Sequence, residues 1–402
     1  MKHIFLAIIL LLAIPSYAQD PNDSVIFNAM NDEMERNIER LSLPNESSPF
    51  FISYTLGRYR QFTIQGSLGS LISSRETPWG MSGSVQLLLG SYHRDSNMNG
   101  IGVNADMPND VDYEGIRRGF WVASDLMYKA SLQVLAQKTE YLQNNTLSPE
   151  EDVLNDWQQL PPTTSHDSRI MEFRIDMAMF DNMVKELSAI FLEYPEIYNS
   201  SVSFSGVDGN IYKVNSEGTS LKQPTGVVSI HIFGMVNTPE GSSISDRFSL
   251  YAETPDELIS LDEMKVRVRG FADGLLKLKD APRMDKFYTG PVMFEGNAVA
   301  SIFGSNLIQT DVLLSHRSFG RRAPQMQTDR FNGQIIDKRI SVKNYTAIKS
   351  YNGEKLSGGY AVDAEGVTPP AEITLVDRGI FKSILNCRIP AINAPKSTGS
   401  SR

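Results

Sequence analysis

Along some stretches of the chain apolar residues recur every three or four positions. Along others they alternate with polar ones, and the two periods mark out its elements. Between Asn22 and Leu41 the apolar positions Ile26, Met30, Met34, Ile38 and Leu41 share one helix face, with Asp23 or Ser24 as the expected N-cap. LPNESSP stops that helix. The stretch FFISYTLGRYRQFTIQGSLGSLISS is rich in Phe, Tyr, Ile and Thr and punctuated by glycine, so it reads as strands, as does SGSVQLLLGSYH. MNGIGVNADMPNDVD reads as a loop. A long helix is expected from about Tyr113 to Leu142, with Ile116, Phe120, Ala123, Met127, Ala130 and Val134 on one side.

A second unit repeats this plan. A helix from about Ser168 to Leu192 carries Met171, Met179, Met183 and Leu187. The strands SVSFSGVDG, NIYKVNSEGTSL, GVVSIHIFGMVN and SDRFSLYAE follow, then a helix from about Pro255 to Leu278. Asp208-Gly209 reads as a hairpin turn, because such a pair supplies the positive φ values that a tight turn requires. A third, strand-rich unit starts near Asp285. It opens on GPVMFEGNAVASIFGSNL, read as a helix with Glu295 in its first turn and Val292, Val299, Ile302, Phe303 and Leu307 as a buried stripe. It ends in the polar tail NAPKSTGSSR, with no closing element expected. The expected fold is α+β: N-terminal helix and antiparallel-sheet units over 19–155 and 156–284, then a mostly antiparallel β C-terminal domain over 285–402.

The first 18 residues change the expected compartment. A basic start at Lys2, an apolar run from Ile4 to Ile14 and small residues near Ala18 read as a secretory signal. The run is too short for a comfortable membrane span, and no later span is expected. The mature chain is therefore expected to start near Gln19 and to be periplasmic or secreted. A net charge of −9 without a basic block argues against nucleic-acid partners. The densest basic spot, GRRAPQ, reads as a solvated loop. Cys387 stands alone, which excludes an intramolecular disulfide and any multi-thiolate zinc site.

Candidate chemistry is sparse. The five histidines, His3, His93, His166, His231 and His316, are too far apart in sequence to share a helical metal motif. A metal site could arise only by convergence in the fold, with His231 and His316 as its candidates. No Gly-x-Ser-x-Gly nucleophile in a strand-to-helix setting, phosphate loop or dinucleotide fingerprint is present. Asp363 and Glu365 flank a glycine turn; they read as turn caps in water, with cation binding or substrate positioning as the alternative. Glu295, beside a helix N-terminus, is explained by the macrodipole.

KFYTGPVMFEGNAVASIF followed by GGYAVDAEGVTPPAEITLVDRGIFKSIL resembles the C-terminal domain of the TldD/PmbA metallopeptidase-related family. NDEMERNIERLSLPNESSPFFISYTL, YEGIRRGFWVASDLMYKASLQVLAQK and KVNSEGTSL resemble its exported branch, so the likeness runs from about Pro21 to Arg402. The resemblance implies an α+β N-terminal half and a β C-terminal half. It also implies zinc peptidase activity in relatives that hold the metal with an HExxxH helix and a later cysteine. It implies action on peptides or unfolded chains, and assembly as homodimers or as heterodimers of an active paralogue with a partner lacking the motif. Here the matching helix reads Phe294-Glu295-Gly296-Asn297-Ala298-Val299-Ala300, and the region of the distal ligand is expected to lie beyond STGSSR. No cofactor is therefore expected. The expected role is a catalytically inactive partner or peptide-holding subunit. The alternatives are a metal-dependent peptidase with a non-standard site and a truncated product without independent activity.

Overall fold

The computed structural model describes residues 20–97, 102–168, 172–282, 287–308 and 330–401. The expected signal peptide, GRRAPQ and His316 lie outside the described residues. Helix α1 (Pro21–Arg40) packs Ile26, Ala29 and Met30 inward. Its cap is Asp20, whose side chain accepts from the Asn22 N–H at 2.9 Å, rather than Asp23 or Ser24. Asp23 is buried instead, accepting from Tyr212 Oη at 2.7 Å and Lys222 Nζ at 2.6 Å. Strands β1 (Phe51–Ser67), β2 (Ser70–Glu76), β3 (Gly80–Leu88) and β4 (Val103–Ala105) follow, then α2 (Tyr113–Asn144). The second half holds the short α3 (Pro149–Asp152), β5 (Thr164–His166), α4 (Met177–Ala189), β6 (Ile197–Asn215), β7 (Ser220–Asn237), β8 (Ser243–Ala252) and α5 (Leu261–Lys279).

The strands form one sheet in the order β4-β3-β1-β6-β7-β5, with β2 beside β1 and β8 beside β7. Every pairing is antiparallel except β5 with β7. β1 pairs with β6 from Ser53↔Asn215 to Gly66↔Val202, so the two helix-and-strand units contribute to a single continuous sheet. Because successive side chains point to opposite faces, the even-numbered residues of β1 share one face, apolar on either side of Arg58 and Arg60. Tyr54 and Leu56 pack with α1 and α2, and Phe62 and Ile64 with α4 and α5. Stacked rings seal both contacts, Tyr54 on Phe120 at 4.3 Å and Phe180 on Phe204 at 4.2 Å. Along α2 the buried stripe runs Ile116, Phe120, Ala123 and Met127, as the spacing predicts, then drifts onto Ser131 and Lys138.

Two expected features resolve differently. The helix expected from Ser168 starts at Met177, where the Asp176 carboxylate accepts from the Ala178 and Met179 N–H groups. Met171 lies outside the described residues, and Met179 faces solvent. Nor does the chain turn at Asp208-Gly209: β6 passes straight through as one 19-residue strand. Asp208 is fully buried, where Arg60 grips it through Nε at 3.0 Å and Nη2 at 3.1 Å. A Cβ on Gly209 would lie 2.1 Å from the Arg58 carbonyl oxygen. The acid serves a buried ion pair and the glycine permits the close approach of β1, so the pair only imitates a turn signal.

The last turns of α2 are anchored by a buried charge cluster. Lys138 Nζ donates to Asp95 Oδ1 at 3.0 Å and to the Asn97 carbonyl at 3.0 Å, and lies 2.7 Å from Asp156 Oδ2. Burial pushes the Asp95 carboxyl up to about 6 despite the opposing pull of Lys138.

The C-terminal unit contains α6 (Asn297–Phe303), β9 (Val342–Tyr345), the small hairpin β10 (Ser350–Tyr351) and β11 (Glu354–Lys355), β12 (Glu372–Asp377) and β13 (Ile380–Phe381). Its antiparallel sheet runs β13-β12-β9 over a core of Ile373, Leu375, Val376, Phe381 and Ile384. The polar tail is tied down rather than loose. The Asn386 N–H donates to Thr398 Oγ1 at 2.7 Å, Tyr360 Oη donates to the Gly399 carbonyl at 2.7 Å, and the Ser401 N–H donates to Asp363 Oδ2 at 3.1 Å.

Gly209→Ala should cost about 3 kcal/mol or more in urea unfolding, because two central strands must separate to admit the methyl group. Asp95 binds its proton more tightly folded than unfolded, so its contribution to stability is full below about pH 4 and is lost as pH rises through about 6. Asp95→Asn should flatten the dependence of unfolding free energy on pH across that interval.

Candidate functional site

The segment that resembles the metal helix is placed differently from its expected packing role. Residues 290–295 form neither helix nor strand, and Gly296 at φ 56° precedes a helix that begins only at Asn297. Glu295 therefore precedes the helix and is exposed. Val292 and Val299 are 58% and 38% exposed, so the expected buried stripe does not form; Leu307 alone of that set packs against the C-terminal core. The left-handed turn at Gly296 breaks the helical register that the stripe assumed.

His231 sits half-buried on β7 with both ring nitrogens engaged by hydroxyls. Nε2 lies 2.9 Å from Ser229 Oγ and Nδ1 lies 2.8 Å from Ser249 Oγ. His93 is exposed after β3, and His166 on β5 stacks on Phe27 at 4.5 Å. Among the described residues no three His, Cys, Asp or Glu side chains come together as a metal site.

Asp363 and Glu365 act at a junction between the C-terminal unit and the sheet. Asp363 caps its turn, accepting from the Glu365 N–H at 2.9 Å and the Val367 N–H at 2.8 Å through Oδ1, but it does so buried rather than in water. Glu365 Oε2 accepts from the Arg388 N–H at 2.9 Å. Burial holds the Glu365 carboxyl above its usual range, against the pull of Lys213 on β6. Burial likewise lowers the Lys213 ammonium, against the pull of Glu365 and Asp363. The neighbouring Cys387 thiol is pushed up to about 11, first by burial and then by the Glu365 carboxylate, so it remains a neutral thiol near pH 7.

Arg388 is the centre of this junction, and no pattern along the chain points to it. It is 1% exposed. Nε and Nη2 donate to the Gln158 carbonyl at 3.0 and 2.6 Å, and Nη2 also donates to Glu217 Oε1 at 2.7 Å. Its guanidinium lies 5.0 Å from the Phe51 ring centroid and 4.9 Å from that of Trp157. A lone arginine after the last strand has no periodic signature.

The face of the sheet opposite the long helices carries a groove of about 820 Å³. β1 lines it with Thr55, Tyr59 and Gln61, and β3 with Ser82 and Ser84. Gln223, cross-strand from Ile211 in the groove wall, donates to the Val362 carbonyl at 2.8 Å, so the C-terminal unit borders this face.

No protein-family model matches the sequence, and no curated relative matches it. Solved structures do match. A proposed modulator of DNA gyrase from Bacteroides thetaiotaomicron superposes with a TM-score of 0.54 at 13% identity, covering 95% of this chain and 76% of that one. TldE from Thermococcus kodakarensis gives 0.50 at 13% identity, covering 92% and 73%. A proposed modulator of DNA gyrase from Thermotoga maritima gives 0.50 at 13% identity, covering 94% and 73%. The fold is that of the TldD/PmbA family.

The zinc implied by the active TldD/PmbA pattern needs imidazole or thiolate donors at fixed geometry. Where that pattern carries its histidines, this chain has Phe294 and Val299 or their apolar and glycine neighbours, and Glu295 points to solvent outside the helix. Cys387 is half-buried beside the Glu365 carboxylate, away from this segment in sequence. The donors present on this segment do not fit the ion.

Arg388→Met should destabilise the chain by about 3–5 kcal/mol in chemical unfolding, because it strands the Glu217 carboxylate in a buried place. Adding Glu217→Gln should recover much of that loss, a non-additivity measurable as a double-mutant cycle.

Proposed function

We propose that this chain is an exported, non-catalytic subunit of a peptide-handling assembly built on the TldD/PmbA fold, partnering a metal-bearing copy of that fold. The observation that carries the reading is the segment Phe294–Ala300, whose side chains offer no imidazole or thiolate. A second observation supports the partner role. Phe287, Tyr288, Met293 and Phe294 are each at least half exposed within eight residues of chain, a density of apolar surface that marks interaction sites. Export rests on residues 1–18, whose cleavage would leave an N-terminus near Gln19.

The purified chain should carry zinc far below one ion per chain by elemental analysis and should leave unfolded casein intact with or without chelator. Stoichiometric zinc together with chelator-sensitive cleavage would falsify the proposal. Affinity capture of the chain from its native cell envelope should bring down a homologue with an intact HExxxH helix. Recovery of the isolated monomer alone counts against the partner role.

A further inference from the structure

We infer that the groove on the helix-free face of the sheet is a binding site for a neutral saccharide. The inference is independent of the subunit role proposed above, and it starts from what the groove floor can offer. β1 and β6 are paired on both sides, and β3 is paired with β4 over Gly83–Val85, so the main-chain N–H and C=O groups of the central floor are committed to the sheet. A peptide read by strand addition needs a free edge, and the edge on this side is β4, only three residues long. Recognition here falls to side chains.

The polar side chains form a consistent set, placed among the apolar Met81, Met107, Val207 and Ile211. Thr55 and Ser84 supply hydroxyls, Gln61 and Asn104 supply carboxamides, and Asp106 supplies the one carboxylate. Among the described residues that line the groove none is Lys, Arg or His, so a phosphate, sulfate or carboxylate ligand finds no counter-charge. Hydroxyls and carboxamides both donate and accept, which suits a ligand whose own edge is a row of hydroxyl groups.

Tyr59 completes the pattern. Its ring lies along Gly57, so close that a Cβ there would stand 3.3 Å from two ring carbons. The glycine lets the ring rest on the strand as a platform within the groove. An aromatic face takes the C–H face of a sugar ring, while the polar rim reads its hydroxyls; the same division of labour between apolar surface and a few placed polar groups is general to small-molecule sites. The volume of about 820 Å³ accepts a short oligosaccharide.

The test uses the intact chain, titrated by calorimetry and saturation-transfer NMR with cellotetraose, with the tetramer of N-acetylglucosamine, with a neutral Gly-Ser pentapeptide and with inorganic phosphate. At least one sugar should bind with a Kd of about 1 mM or tighter. Tyr59→Ala and Asn104→Ala should each weaken it by about tenfold or more with the circular dichroism spectrum unchanged, whereas Tyr59→Phe should retain it. Binding of neither sugar overturns the inference. So does sugar binding that ignores both alanine substitutions, or pentapeptide binding that Tyr59→Ala abolishes.

Discussion

Arg388 brings a full charge into a place almost without water, and its surroundings are arranged to make that tolerable. Moving such an ion out of solvent costs several kcal/mol, and the Coulomb attraction of one carboxylate offsets this only with good geometry and further hydrogen bonds. Here the Gln158 carbonyl, Glu217 and the rings of Phe51 and Trp157 together meet the guanidinium. Its plane is thereby fixed, and three parts of the chain are fixed with it: the start of β1, the linker after α2 and the tail. The turn at Asp363 and the half-buried Lys213 and Glu365 take their positions from the same junction. This one side chain ties the C-terminal unit to the sheet, together with the Gln223–Val362 hydrogen bond beside the groove.

What the sequence made legible follows from what has a period. The face of α2, the inward stripe of α1 and the alternation in β1 are repeated signals, and each was readable because several residues vote for it. Single residues with two uses were misread. Asp23 has the composition of a cap but answers to Tyr212 and Lys222, partners about 190 and 199 positions away. Asp208 and Gly209 look like a turn because ion pairing and close packing ask for the same two residue types. Arg388 had no signal, since a buried charge is defined by neighbours that are remote in sequence. Of the candidate site, the family pattern and its missing donors were legible; the late start of the helix at Asn297, and hence the exposure of Glu295, was not.

The fold separates two faces with different duties. On one, four long helices consume the apolar side chains of the sheet and supply the core. On the other, a floor of hydroxyl, amide and glycine positions is left facing outward, bordered by the C-terminal unit. Such a surface can stay polar without loss of stability, because the core lies behind it.

The Arg388 junction also has a temporal side. Gln158 meets its partner 230 positions later in the chain, so the contact has the character of a very large loop closure. Synthesis proceeds from the N-terminus, and both cores under the long helices draw only on residues up to Leu276. The sheet can therefore assemble while the slot between Phe51 and Trp157 still stands empty, and the segment around Arg388, made later, is the one that fills it. A nascent chain of this protein passes through a stage in which a tryptophan-lined slot is open to whatever else is nearby, until Arg388 reaches it.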